Sequence, residues 1–490
     1  MPLEIFSLRI AHRDIRNDVR QTLEAMAEDF SGNWSVSIID SQENDSWGLV
    51  LRGPDGNERA RTLGPGEHTG RAIQTALREL RDSLLHTSSS NRLLKSIQVQ
   101  NILSFNQDSL PIDLEPLNIL IGPNGSGKSN FIEIVGILQE APKEFGDSIR
   151  ESGGVKEWLW KGPVRGMESR KKELVGRIEA VLAPPAGTVP IRYSVSFTRV
   201  GYQLEIIDER IETERPLGKQ HQKPFMYFGY ENGRPLISPM GKPREHRTLR
   251  TEVINPRLSV LSQVKDPDQY PELTYVGRQF GALRLYREWE FGINSTARDV
   301  FAADLQSDHL QEDLRNFGLM LNRLMAEPGI NRELLKYLQM FYPDAIDIHA
   351  VIREGRVEVQ LEEKGGFSTP SSRLSDGTLR WLALLIILLS PPTAPVICVE
   401  EPELGLHPDM IPTLAVLLKG ASVNRQLIIT THSAELVEEF GDAPECVLVF
   451  DKEDSASRVR RLEKQKLQSW LQEYSLGELW RKGELGGNRW

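Results

Sequence analysis

Cysteine is almost missing from this chain: two residues in 490, Cys398 and Cys446. Each lies within an apolar, strand-like run, which fits buried thiols and excludes a disulfide-stapled secreted scaffold. A reducing cytoplasm is the expected compartment. Long hydrophobic runs are missing too; the longest, Trp381–Leu389, is too short to span a bilayer. The residues from Met1 onward show no basic stretch followed by a long apolar core, so no membrane association is expected. Positive charge is in deficit, with 59 Lys and Arg against 69 Asp and Glu, a net charge of -10 and a pI of about 5.6. That balance excludes a polycation that coats nucleic acid and confines any such contact to local patches. Sustained heptads, internal repeats and low-complexity tracts are lacking, so neither a long coiled-coil arm nor a solenoid is expected.

What the chain does have is a phosphate-binding loop. The apolar run Leu117–Ile121 reads as a buried strand, Gly122-x4-Gly127-Lys128-Ser129 follows, and Phe131–Leu138 reads as the next helix. Glycines let backbone N–H groups turn inward around a β-phosphate, so Asn124, Gly125, Ser126, Gly127 and Asn130 would line the phosphates. Lys128 can bridge the β- and γ-oxygens, and the Ser129 hydroxyl can ligate Mg²⁺. The expected cofactors are ATP and Mg²⁺.

The length is a prior for about two to four domains, and 39% hydrophobic residues suffice for a sizeable core. Residues 1–90 read as an accessory α-β-β-β-α module, with helices near 8–29 and 68–85 and strands near 34–40, 47–52 and 58–63. That order resembles double-stranded-RNA-binding domains, but the first lysine in the chain is Lys95, and Arg71, Arg78 and Arg81 are a thin phosphate grip. A protein-contact or sensing role is favoured. The polar run 86–91 reads as a linker. Residues 93–211 form an α/β lobe carrying the phosphate loop, 212–370 a mixed insertion with helical patterns near 305–325 and 331–341, and 371–490 a second α/β lobe.

That last lobe supplies three further motifs. Leu374-Ser375-Asp376-Gly377 precedes the apolar helix Trp381–Leu389. The strand Val396–Val399 ends in two carboxylates; a parallel strand beside the phosphate-loop strand would carry Glu400 toward Mg²⁺ and leave Glu401 to orient or deprotonate water. A further apolar strand from Gln426 ends at His432.

In this order the motifs resemble the RecF/SMC/OLD-type branch of ABC ATPases over residues 93–490, and within it the compact AAA-type ATPases of bacterial anti-phage defence operons. The resemblance implies an α/β P-loop head without a long coiled coil. It also implies that Ser375 and Gly377 contact the γ-phosphate held by a second subunit, so that ATP closes a homodimer or higher oligomer, and that His432 is the switch histidine sensing that phosphate. The branch more often has aspartate at the place of Glu400; glutamate keeps the carboxylate and lengthens it. Where a basic residue is frequent this chain has Leu103, and the glutamine of the Q-loop is not assigned. OLD-type proteins carry a metal-dependent nuclease after this lobe, whereas here about 60 residues follow His432 and Asp451–Asp454 falls on an expected loop. A separate effector chain, nuclease or toxin, is therefore the expected partner, with the aromatic tail 476–490 either docking it or packing on its own lobe. Nucleic-acid contact has two candidate clusters: Lys242, Arg244, Arg247 and Arg250, and Trp158, Trp160, Lys161, Arg165, Arg170, Lys171 and Lys172, both interspersed with acids. A RecF-like DNA-repair ATPase and a scaffold with negligible turnover remain open beside the defence reading.

Overall fold

The computed structural model describes residues 3–9, 13–25, 34–41, 46–52, 58–64, 68–69, 72–77, 80, 92–163, 174–184, 189–216, 222–231, 233–239, 247–249, 254–287, 289 and 291–486. The expected linker at 86–91, the cations Lys242, Arg244, Arg250, Arg165, Arg170, Lys171 and Lys172, the arginines Arg71, Arg78 and Arg81, and the last four residues lie outside them. The chain divides into two compact units, Met1–Ser90 and Asn91–Trp490.

The first unit holds a four-stranded sheet in the order Leu3–Arg9, Trp34–Ser41, Ser46–Arg52, Glu58–Leu63. The opening strand was not expected, and it runs parallel to the second. A parallel pair needs a crossover, which the helix Arg13–Ala25 supplies. The other pairs are antiparallel hairpins. Alternate residues Val36, Ile38, Leu49 and Leu51 are fully buried, and they share a core with Val19, Leu23, Ile73 and Leu77 from the helical segments.

In the second unit a six-stranded sheet organises the rest. Its order is Arg284–Tyr286, Val396–Glu400, Gln426–Thr430, Leu117–Ile121, Val447–Glu453, Ala456–Arg461. The first five strands are parallel and the last is an antiparallel return. All five residues of Leu117–Ile121 are buried, as expected for a parallel strand covered on both faces. On one face Leu120, Cys398, Ile428 and Phe450 pack on the phosphate-loop helix Lys128–Glu140 and on an eight-stranded antiparallel sheet. On the other, Ile119, Val399, Ile429 and Val449 pack on the helices Asp376–Leu389 and Ile411–Ser422. The period-two alternation along each strand is thus divided between two cores.

Three expectations need correction. The Val396–Glu400 strand is not beside the phosphate-loop strand, because Gln426–Thr430 lies between them. Both carboxylates still reach the phosphate loop, since the three parallel strands end at the same sheet edge, with Glu400 opposite Thr430 and Thr430 opposite Leu120. The helix expected over 305–325 forms only at Phe317–Met325. Before it, the buried Asn316 side chain accepts from the Gln311 N–H at 2.8 Å and donates to the carbonyls of Gln306 at 2.6 Å and His309 at 2.7 Å, satisfying backbone groups that a helix would have paired. Finally, Asp451 and Glu453 belong to a strand, and the turn of that hairpin falls at Asp454 and Ser455.

Residues 212–370 contribute to three sheets. Besides the edge strand Arg284–Tyr286, they complete the antiparallel sheet and build a small one from Phe301–Ala302, Ala345–Arg353, Arg356–Glu363 and Phe367–Pro370. In the tail, the helix Leu476–Arg481 starts with a Ser475/Glu478 capping box and buries Leu476, Leu479 and Trp480. It packs on Ala434–Glu438, the helix directly after His432, so this part of the tail is committed to its own lobe.

One buried acid in the antiparallel sheet has no part in the nucleotide site. Glu209, 1% exposed, accepts hydrogen bonds from the Tyr193 hydroxyl at 2.9 Å, the Ser259 hydroxyl at 2.5 Å and the Val260 N–H at 2.8 Å. Burial outweighs these donors and pushes its carboxyl up from 4.5 to about 7. A carboxyl raised in the folded state binds more protons there than in the unfolded chain, so stability falls as pH rises from about 4.5 to about 7 and is flat above. The full shift corresponds to a loss on the order of 3 kcal/mol. Thermal melts of Glu209→Gln between pH 5 and 8 should show this slope flattened; an unchanged slope would assign it to other groups.

Candidate nucleotide site

The phosphate loop leaves its strand at Gly122 and enters the helix Lys128–Glu140 at Gly127, whose φ of 108° lies in the left-handed region. A Cβ at Gly127 would stand 2.1 Å from Ser457 Oγ and 2.6 Å from Ser104 Oγ, so the position is closed to any side chain. Those two hydroxyls clamp the loop from outside. Ser457 Oγ donates to the Ser126 carbonyl at 2.6 Å and lies 2.7 Å from Ser104 Oγ, which in turn accepts from the Asn130 side chain at 2.8 Å. The Asn130 amide is therefore spent on the scaffold, which leaves its backbone N–H in the first helical turn as its means of meeting a phosphate. Asn124, Gly125 and Ser129 are exposed at the mouth, while Ser126, Gly127 and Lys128 are buried.

Lys128 Nζ donates to the Gly122 carbonyl at 2.7 Å, holding the ammonium over the loop. Burial depresses it to about 8, against the opposing pull of Glu401 and Glu400. A phosphate would restore the charged form through Coulomb attraction. Glu400 and Glu401 stand at the end of their strand. Burial raises the Glu400 carboxyl above the usual range, despite the Arg287 guanidinium and the Ser129 hydroxyl nearby. Its Oε1 is buried and has no hydrogen-bond partner. An oxygen in that state, next to a serine hydroxyl, fits a hard divalent cation, which takes oxygen ligands.

Glu401 has a φ of 44°, rare for a residue with a side chain, and its N–H donates to the Thr430 carbonyl at 3.0 Å. The turned backbone directs Glu401 toward His432, with Oε1 and Nε2 3.5 Å apart. Burial, with Lys128 adding to it, lowers the His432 imidazole from its ordinary value against the pull of Glu401, so the ring is neutral at pH 7. Lys128, Ser129, Glu400, Glu401 and His432 are therefore together at one edge of the sheet.

Ser375 and Gly377 occupy a different setting. Ser375 caps the helix Asp376–Leu389, its Oγ accepting from the Thr378 N–H at 3.1 Å. A Cβ on Gly377 would come 3.1 Å from the Gly405 carbonyl, in the loop that begins at Glu401. The signature segment is thus packed against the loop that carries the second carboxylate.

Residues 117–438 match a protein family described as "AAA domain, putative AbiEii toxin, Type IV TA system". The chain belongs to this family. It is a P-loop ATPase. Among curated proteins it is similar to ABC transporter A family members 4 and 7 of Arabidopsis thaliana, 34% and 32% identical over 116 residues. That stretch is 24% of this chain and 12% of each transporter. Among solved structures it is similar to an SMC head bound to the C-terminal winged-helix domain of ScpA, with 12% identity over 76% of this chain and 99% of that one and a TM-score of 0.47. It is likewise similar to the SMC head domain from Thermotoga maritima, with 14% identity over 76% of this chain and 99% of that one and a TM-score of 0.38. No helix among the described residues is long and apolar enough to cross a membrane.

Several residues around this ATPase site carry no role that the sequence motifs assign. Glu403, two places beyond Glu401, accepts from the Thr431 hydroxyl at 2.5 Å and the His432 N–H at 3.0 Å, fixing the histidine loop to the carboxylate loop. Arg298 donates to the Leu374 carbonyl at 2.6 Å and pairs with Asp376, holding the signature turn from 78 residues away in sequence. Arg380 donates to the Leu404 carbonyl at 2.7 Å and lies 5.6 Å and 5.4 Å from the Trp289 and Phe291 ring centroids. Glu403 and Arg380 could have been found from their closeness to motif residues; Arg298 and Ser457 carry no local signal.

The basic cluster after the phosphate-loop helix changes character. Trp158 and Trp160 are buried, and Trp158 donates to Ser152 at 2.6 Å, so neither offers the open face that base stacking needs. Lys161 pairs with Glu157. A cavity of about 470 Å³ lined by Lys156, Trp160, Lys161 and Arg199 remains there. Arg247 is exposed on a short edge strand.

Proposed function

We propose that this ATPase is Mg²⁺-dependent and dimerises around two ATP molecules, using nucleotide to switch its assembly state. In each site Lys128 and the loop N–H groups bind the phosphates, and Ser129 and Glu400 hold the metal. Glu401 accepts a proton from the attacking water, His432 senses the γ-phosphate, and Ser375 and Gly377 of the second chain complete the shell. The metal, when bound, neutralises phosphate charge and aligns the β- and γ-oxygens.

The observation that carries this reading is the meeting of Lys128, Ser129, Glu400, Glu401 and His432 at one sheet edge, with Glu401 held in a strained backbone turn 3.5 Å from the His432 imidazole. A shared site is supported by Ser375, which caps a 14-residue helix whose positive end suits an anion, and by Arg298, which holds that cap in place. Because ADP lacks the γ-phosphate that both halves would grip, ATP alone should close the pair. Sedimentation of the wild-type chain with Mg²⁺ and a non-hydrolysable ATP analogue should give twice the monomer mass, and with Mg²⁺ and ADP the monomer mass. Equal masses in both would refute the switch.

In the cell the switch serves anti-phage defence, with this chain as sensor or scaffold for a separate nuclease or toxin effector. The family description, which includes a toxin of a toxin–antitoxin system, supports that class of role. Co-purification of a partner chain from the native host tests it, whereas tight, salt-sensitive duplex binding that accelerates hydrolysis by the chain alone would favour DNA repair.

A further inference from the structure

Two acids meet behind the phosphate loop. Glu133 comes from the phosphate-loop helix and Glu400 from the strand end, and between them stands Arg287, the first residue beyond the edge strand Arg284–Tyr286. Its Nη2 lies 3.0 Å from Glu133 Oε1, a full hydrogen bond, whereas its Nε lies 3.7 Å from Glu400 Oε1. Both Arg287 Nε and Glu400 Oε1 are buried, and neither has a hydrogen-bond partner. The guanidinium is therefore anchored on Glu133 and stops short of Glu400.

That geometry separates two functions an arginine could have here. A hydrogen-bonded Arg287–Glu400 pair would occupy the oxygen a metal needs. Without the guanidinium, Glu133 and Glu400 would stand as neighbouring carboxylates in a half-buried place with no cation between them, and the pair would draw in a divalent ion more readily without nucleotide. With Arg287 present one of the two negative charges is offset, and Glu400 Oε1 stays free of a hydrogen bond. Mg²⁺ gives up its water reluctantly, and a single net negative charge with one hydroxyl is a poor inducement until a triphosphate adds its own oxygens.

We propose that Arg287 is a positioning residue that acts as a fixed counter-charge, neutralising Glu133 and Glu400 so that the metal site fills only together with ATP. This rests on the reading that Glu400 and Ser129 hold the metal. It gives the ATPase a reason to remain metal-free between turnovers: after product release, one of the two acids keeps a built-in partner.

The test uses Mn²⁺ as a spectroscopically visible probe on the full chain, counting protein-bound ion by electron paramagnetic resonance. Wild-type protein should bind Mn²⁺ with a non-hydrolysable ATP analogue present and weakly without it. Arg287→Gln should bind nucleotide-free Mn²⁺ at least about tenfold more tightly than wild type, and Arg287→Lys should stay near wild type. Unchanged or weaker nucleotide-free binding in Arg287→Gln, with normal analogue-dependent binding in wild type, would overturn the counter-charge. Failure of wild type to bind Mn²⁺ with the analogue would instead overturn the metal reading beneath it. Should Arg287→Gln not fold, Glu133→Gln gives the reverse arm. Arg287 then serves Glu400 alone, and analogue-dependent Mn²⁺ affinity should fall about tenfold; no change would refute the proposal.

Discussion

Glu401→Gln protein should bind ATP as wild type does, lose turnover by about 10²- to 10⁴-fold and accumulate as a closed dimer. Glutamine matches the shape of glutamate and keeps a polar oxygen, but it cannot accept a proton from water. The strained turn at Glu401 is set by its N–H bond to the Thr430 carbonyl, which the substitution leaves in place. Folding and nucleotide contacts should therefore survive, and the effect should fall on kcat with little change in KM. Loss of the negative charge also removes what pulls the His432 imidazole upward, so that ring stays neutral over a wider pH range. Single-turnover hydrolysis read beside sedimentation separates the steps. Undiminished hydrolysis would remove Glu401 from proton transfer, and lost binding would make it a structural residue.

Ser375→Arg should bind ATP with near-normal affinity yet remain monomeric and lose at least about 10²-fold in turnover, the scale on which donors aimed at developing charge act. The serine hydroxyl caps its helix through the Thr378 N–H, and part of the loss would be local; replacing such a cap typically costs about 1 kcal/mol. The helix should persist all the same, because Leu379, Trp381, Leu382, Leu384 and Leu385 are fully buried beneath it. In the proposed shared site, what the arginine would destroy is the face offered to the second chain. Ser375→Ala is the milder control: it removes the cap without adding bulk, and it should weaken dimerisation less than the arginine does. Full activity in a monomeric Ser375→Arg protein would refute a site shared between chains.

Much of this site was legible in the sequence because its parts are local. A strand, a glycine turn and a helix start fall within Leu117–Glu140, and Glu400, Glu401 and His432 each end a short apolar run that a sheet must bury. Strand order was not legible. Nothing in Val396–Glu400 says that Gln426–Thr430 will stand between it and the phosphate loop, since both are apolar runs of the same length. The interior polar side chains were equally hidden. Asn316 ended a periodic pattern that otherwise reads as helix, by bonding to three backbone groups of its own loop. Arg298 and Arg287 meet their partners across 78 and 154 residues, and an isolated arginine in sequence looks like a solvated cation. Glu209 is hidden in the same way: it occupies a strand among charged neighbours, and only the fold shows that it faces Tyr193 and Ser259.

The central claim, one ATP site built from two chains, is tested most directly by mixing two inactive proteins. Lys128→Ala has lost the phosphate grip but keeps Ser375, and Ser375→Arg keeps the phosphate grip but has lost the partner face. In a mixed dimer one composite site regains both halves. Hydrolysis by the equimolar mixture should therefore rise well above the sum of the separate proteins, toward about a quarter of wild-type turnover if the two chains pair at random. A mixture no more active than that sum would contradict the shared site.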